Sequence, residues 1–244
     1  KALIAFSNQK KPNQFIEAMS FVRDAIKEIE PHDSEDRFRS LGVNVIREYG
    51  RFVDAKTVAA GGYEIQSRRI VIATGAHASI PKINGLSDIP YYTNQTIFDL
   101  AQKPSHLLVL GGGPIGVELA QAFTRIGIKV TIFEKQKILS NFNREQVKIL
   151  KGNLLADGVN LREDASIEEF SQVGSKLTVR LESGEKITGS DLLVATGKHP
   201  NLQSLNLNVA GISFSDKGIE TDKYLRTKNR KIYAFFNNLK LIKV

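Results

Sequence analysis

Three glycines, Gly111, Gly113 and Gly116, stand in the run HLLVLGGGPIGVELAQAF (residues 106–123), between an apolar stretch and an amphipathic one. Gly-x-Gly-x-x-Gly at a strand-to-helix junction has a specific chemical use. Gly111 lets the chain turn sharply, and Gly113 has no Cβ to hold off a pyrophosphate. Gly116, with Ala120 one turn on, lets helix and strand pack closely. Pro114 and Ile115 open the helix, whose free first-turn N–H groups and positive dipole end then face the phosphates. No Gly-Lys-Ser/Thr follows, which excludes a Walker-type loop. Glu134 ends the next apolar run, VTIFE, 23 residues after Gly111. A carboxylate there accepts hydrogen bonds from adenine ribose hydroxyls and repels a 2′-phosphate, which favours NAD(H) over NADP(H). Lys135 and Lys137 pull the other way, since either can swing to a phosphate.

These residues need a frame of alternating strands and helices. LLVL (107–110) reads as a strand, Pro114 to Ile126 as a helix closed by Gly127, and KVTIFE (129–134) as the next strand. Asn143 to Ala156 reads as a second helix, stopped by Asp157-Gly158, and VNLRE (159–163) as a third strand. That is a βαβαβ unit, the core of a doubly wound nucleotide domain. KLTVRL (176–181) and EKIT (185–188) predict a hairpin, and SDLLVATGKH echoes the earlier RRIVIATGAH.

Upstream, Pro12 to Ile29 carries Phe15, Ile16, Met19, Val22 and Ile26 at helical spacing. Asp33 and Ser34 can cap a short helix through Leu41. Between Val43 and Ala73 the runs VNVI, GRFV, TVAA and YEIQ predict a small antiparallel meander. Residues 80–104, with Pro81, Gly85, Pro90 and Pro104, read as a connection. GIETDKYLRTKNRKIYAFF closes the chain with two more strand-like runs.

Composition narrows the chemistry further. The 244 residues, 41% of them hydrophobic, suffice for one large domain or two small ones with a packed core. No apolar run approaches the ~18 residues of a membrane helix, and no signal-peptide pattern opens the chain. The expectation is a soluble, cytoplasmic protein with no membrane partner. The chain starts at Lys1 with Met19 as its one methionine, so a natural start is expected to be missing. Cysteine is absent, which removes disulfides, thiolate metal sites and redox thiols from these residues. His32, His77, His106 and His199 are scattered without metal-ligand spacing, which argues against a metal enzyme. The net charge is +8, and residues 222–244 carry seven basic side chains against one acid. No zinc-finger or RNA-binding signature accompanies them, so nucleic acid is not expected as a partner. Tyr224 and Lys228 form Tyr-x-x-x-Lys, a short-chain dehydrogenase pattern, but that pattern needs a helix and YLRTK reads as a strand.

The segments IVIATG (70–75), LVLGGGPIGVELA (108–120), VTIFE (130–134), LLVATGKHPN (192–201) and GIETDKYLRTKNRKIYA (218–234) run in order over nearly the whole chain. With them the chain resembles the flavin-dependent pyridine nucleotide–disulfide oxidoreductases, close to the dihydrolipoamide dehydrogenase and mercuric reductase branch. The resemblance implies an α/β fold in which a Rossmann-like NAD-binding domain (86–213) is inserted into a partial FAD-binding domain (1–85 and 214–244) with a small antiparallel meander. The two AlaThrGly turns would be crossings between the domains, with Thr74 and Gly75 near the flavin side and Gly197 closing the second. Lys198 stands where the family usually has arginine.

The resemblance also implies a hydride relay from NAD(P)H to flavin and on to a disulfide or similar acceptor. KALIA is similar to the run that follows the family's redox cysteine pair. Lys1 would then pair with Glu118 beside the flavin–nicotinamide contact. No residue of this chain inherits a catalytic role, because the cysteine pair and the C-terminal histidine–glutamate motif fall outside it. Phe236 and Asn237 replace the family's glycine and aspartate at the flavin's ribityl chain, so these residues alone are expected to bind FAD weakly or not at all. The intact parent is expected to be a homodimer. The competing reading is a truncated or degenerate NAD-binding module without catalytic activity.

Overall fold

The computed structural model describes residues 1–9 and 14–235. Contacts divide the chain into two units, Lys1–Pro31 with Ala78–Gly197, and His32–His77 with Lys198–Val244. The fold is α/β, with parallel and antiparallel sheets and helices.

The first unit is built on a four-stranded parallel sheet in the order Asp191–Val194, His106–Leu110, Lys129–Phe133, Asn160–Arg162. Every residue of HLLVL is buried, the mark of a strand covered on both faces. Alternation assigns the faces. Leu107, Val109, Val130 and Ile132 meet the helix Pro114–Arg125 through Val117, Ala120 and Phe123. Leu108, Leu110, Phe133, Leu192 and Val194 meet Phe170, Leu177, Val179 and Leu181. Those last four lie on an antiparallel sheet of Ile167–Val173, Lys176–Leu181 and Lys186–Gly189. The expected hairpin is therefore the larger part of a three-stranded sheet. Its extra strand, IEEFSQV, buries only Phe170 and carries little alternation in sequence.

Both helices of the βαβαβ unit have the expected ends. Pro114 occupies the first turn of Pro114–Arg125. Asn143 caps Arg144–Asp157 by accepting from the N–H groups of Glu145 (3.0 Å) and Gln146 (3.3 Å). The helices are tied by Asp157, which accepts from Gln121 and Arg125 at 2.8 Å each.

Residues 1–31 pack with this unit, which departs from the 1–85 boundary drawn on the sequence. The cause is burial: Leu3 of Ala2–Ser7, and Phe15, Ala18, Met19 and Val22 of Phe15–Ile29, enter the core that holds Phe123. Two expected core residues do not follow. Ile16 is 75% exposed because it lies about 100° round the helix from Phe15, off the buried stripe, and Ile26 is 53% exposed because it lies beyond Val22, the last buried residue of this helix.

The second unit holds the short helix Glu35–Ser40, capped by Ser34, and a meander of Arg51–Phe52, Thr57–Ala60 and Tyr63–Gln66. VNVI (43–46), expected as a strand, lies outside any strand. Ile70–Ile72 is not a member of the meander but pairs in parallel with Ile232–Ala234. Phe52, Ile72, Leu205, Ile212, Ile219 and Ile232 form the centre of its core. Among the described residues no helix is long and apolar enough to cross a membrane.

Candidate functional site

The C-terminal ends of the parallel strands open into a cleft of about 560 Å³ in the first unit. Ligands of open α/β sheets bind at this edge. Gly111, Gly113, Pro114, Ile115, Glu134, Lys135 and Gly197 all line it, so seven residues chosen from sequence meet in one place.

The three glycines do different work. Gly111 has φ +110°, and a Cβ there would meet the Ala195 carbonyl at 2.6 Å. A Cβ on Gly116 would fall on the Gly111 carbonyl, so the helix rests on the loop at a distance only glycine permits. Gly113 is the opposite case. Its backbone is extended, at φ −75° and ψ −179°, and nothing lies within 4 Å of where a Cβ would be. The fold therefore does not need glycine at 113, whereas a group approaching the backbone from the cleft does. No side chain caps the helix that begins here. Pro114 has no N–H and the Val117 N–H is bonded to the Gly113 carbonyl at 3.0 Å. Ile115 and Gly116 are then the first-turn donors left for an anion.

The loop is braced before any ligand arrives. Gly111 N–H donates to Phe133 O (2.9 Å), and Leu139 N–H to Gly112 O (2.9 Å). Gly112 N–H donates to Glu134 Oε2 (2.7 Å), and Gln136 N–H to Glu134 Oε1 (3.0 Å). Glu134 thus holds the loop as well as lining the cleft. Each oxygen has taken one bond and keeps acceptor capacity for a further donor.

The two lysines differ. Lys135 is exposed and lines the cleft, while Lys137 is drawn into an ion pair with Asp164. The sequence also missed cleft residues that arrive from distant segments: Pro81, Lys82 and Ile83 from the connection, and Ser166 and Glu182 near the antiparallel sheet. Thr196 lines it too and donates to Ser79 O at 2.6 Å; its place in the second AlaThrGly was the available signal.

Other expected site residues lie elsewhere. Among the described residues no ion pair within 4 Å joins Lys1 to Glu118. Lys1 is the exposed residue before the Ala2–Ser7 helix, and Glu118 is exposed on Pro114–Arg125. Thr74 and Gly75 belong to the second unit, where Thr74 Oγ1 donates to Asn201 O (2.8 Å) and Gly75 O accepts from Asn201 N–H (3.0 Å). They line or adjoin a separate cavity of about 680 Å³ bounded by Phe52, Ile72, Thr74, His77 and Leu205. Tyr224 lies outside any helix, exposed, beneath the Arg226 guanidinium, which removes the dehydrogenase pattern. Phe236 and Asn237 lie outside the described residues.

His106, the first residue of its strand in the parallel sheet, is buried, and its Nε2 lies 2.8 Å from Thr131 Oγ1. Burial, aided by the Lys129 charge, holds its pKa below the usual imidazole value despite an opposing backbone hydrogen bond at Thr188.

Comparison with known proteins agrees with this architecture. Residues 3–235 match the family described as pyridine nucleotide-disulphide oxidoreductase. The chain is 34% identical over 214 residues to a mercuric reductase of Lysinibacillus sphaericus, covering 86% of this chain and 39% of that protein. It is 36% identical over 205 residues to a mercuric reductase of Bacillus cereus, covering 79% and 32%. Among solved structures, the HOCl-induced flavoprotein disulfide reductase RclA of Escherichia coli superposes with a TM-score of 0.84 at 28% identity, covering 96% of this chain and 54% of that one. The chain therefore spans well under two thirds of each of these proteins.

Proposed function

Because the chain belongs to the pyridine nucleotide-disulphide oxidoreductase family, we propose that it is the NADH-binding part, and a portion of the flavin-binding part, of an FAD-dependent reductase that passes electrons to a disulfide or similar acceptor. The observation that carries the reading is the open face of Gly113 above a braced loop, with nothing within 4 Å of its absent Cβ. Ile115 and Gly116 N–H would hold the pyrophosphate, and Glu134 would take the adenine ribose hydroxyls on acceptor sites left free by Gly112 and Gln136. Lys135, at the cleft wall, would add charge attraction for the phosphates. When bound, the nicotinamide supplies a hydride and the flavin receives it; the protein's part is position and electrostatics.

On this reading 86–213 is the NAD domain, and residues 1–85 and 214–244 belong to the flavin domain by descent although 1–31 pack with the first unit. Thr74 and Gly75 are assigned to the flavin side. The Lys1–Glu118 pairing has no support in the geometry and plays no part in the proposal. The reading extends to the intact parent acting as a homodimer in the cytoplasm, with no catalytic residue supplied by this chain.

Calorimetric titration with NADH and with NADPH tests it. One NADH per chain, bound more tightly than NADPH, is the expected result, and absence of binding by both overturns the proposal. Addition of FAD and a dye acceptor then separates the two functional readings. NADH-dependent dye reduction supports the reductase, and nucleotide binding without turnover supports a non-catalytic NAD module.

A further inference from the structure

Two of the histidines that look scattered in sequence come together in the second unit. His77, in the strand Ala76–Ala78, and His199, in the neighbouring strand Lys198–Pro200, have ring centroids 6.0 Å apart with planes inclined at 37°. Both are exposed. Neither belongs to the dinucleotide cleft.

The orientation of His77 is set by Asn201. His77 Nδ1 lies 2.7 Å from Asn201 Oδ1. The amide cannot be turned round, because its Nδ2 donates to Thr74 O at 2.9 Å and a flip would set two oxygens against each other. An amide oxygen only accepts, so Nδ1 carries the proton and Nε2 keeps a lone pair. Asn201 is itself fixed by its bonds to Thr74 Oγ1 and Gly75 O. A ring nitrogen locked as donor to a fixed oxygen is the arrangement that orients metal-bound histidines.

The spacing suits a shared ion. With metal–nitrogen bonds of about 2.0 Å, one ion holds two imidazole centroids roughly 4.5 to 6.4 Å apart, depending on the angle between them. The observed 6.0 Å lies in that range.

We propose that His77 and His199 form a binding site for a divalent first-row transition-metal ion, with Asn201 as the positioning residue. Among the described residues no group of three or more His, Cys, Asp or Glu is placed to hold a metal. The ion would therefore take two protein nitrogens and complete its shell with solvent. Such a set favours Cu(II), which heads the affinity order for nitrogen ligands and accepts tetragonal geometry.

The test is titration of the 244-residue chain with CuCl₂, followed by calorimetry and electron paramagnetic resonance. One Cu(II) per chain with coupling to two imidazole nitrogens is the expected result. His77→Gln and His199→Gln should each weaken binding tenfold or more. Asn201→Ala should weaken it by about tenfold, in the range seen when a ligand's orienting partner is lost. His32→Gln, at an exposed histidine elsewhere, should change nothing. Thermal scans check that each variant keeps its fold, and the imidazole count on the unaltered chain does not depend on any variant. Unchanged affinity in both histidine variants, a spectrum without two imidazoles, or equal loss on His32→Gln overturns the proposal.

Discussion

Replacing Gly113 by alanine separates a ligand requirement from a folding requirement. A new methyl at 113 meets no atom within 4 Å, and the backbone there is extended, so the fold gives it room. Alanine also lowers the entropy of the unfolded chain, which stabilises by about 0.4–1 kcal/mol when the native conformation is compatible. Gly113 is also the N-cap of this helix, where alanine is disfavoured relative to glycine by a similar amount, so Tm should move by no more than about 2 °C either way. The same methyl stands where the pyrophosphate must approach, so NADH affinity should fall at least tenfold, about 1.4 kcal/mol. Gly116→Ala is the counter-case. Its Cβ falls on the Gly111 carbonyl, a backbone group that cannot swing aside. Overpacking of that kind costs about 1–3 kcal/mol, or a Tm fall of about 2 to 12 °C. Thermal scans and NADH titrations of the two variants side by side give the readout. Gly113→Ala with wild-type NADH affinity refutes the reasoning, and so does Gly113→Ala with a Tm loss like that of Gly116→Ala.

Three further outcomes are expected. Glu134→Gln keeps one oxygen for the Gly112 N–H but loses the acceptor of the Gln136 N–H, so it should lower Tm by a few °C at most while weakening NADH, whereas Glu134→Arg should also narrow or reverse the preference over NADPH; unchanged affinities for both nucleotides count against the ribose role. His106 has a folded pKa below its unfolded value of about 6.5, so the unfolded state takes up the proton first. Stability is then complete above pH ~6.5 and falls as pH drops toward the folded pKa, by at most about 1.4 kcal/mol per unit from this group. His106→Asn should show a shallower loss between pH 7 and pH 5 by denaturant titration, and an identical slope removes His106 as a cause. Tyr224→Phe should leave NADH binding and any dye reduction unaltered, since Tyr224 does not line the Gly-loop cleft; a loss of turnover revives the dehydrogenase pattern.

What the sequence disclosed and what it hid follow from the range of the forces involved. HLLVL and KVTIF are legible because a strand covered on both faces is apolar at every step. Asn143 and Gly158 are legible because helix ends are made by local backbone chemistry. Ile167–Val173 was not, since Phe170 alone carries its burial and its partner strand supplies the rest. VNVI has β-branched residues without a partner to pair with, and propensity alone makes no strand. Ile16 and Ile26 fit a helical period, but Ile16 lies off the buried stripe and Ile26 past its last buried residue, and packing partners set both limits. His77 and His199 are separated by most of the first unit's chain, so no spacing rule could have joined them.

The site residues divide along the same line. Gly111 and Gly116 are needed by the fold, and Gly113 by nothing in the fold, yet the three look alike in sequence. Glu134 joins the two classes. Its carboxylate fixes Gly112 and Gln136 before any nucleotide is present, so the loop that would meet the pyrophosphate is already ordered when a ligand reaches it. Binding then spends little on loop ordering. The same carboxylate is proposed to read the ribose, so a change there alters both the shape of the anion site and the choice of cofactor. Only a pair of variants that keeps the acceptor in one case and reverses the charge in the other can take those two effects apart.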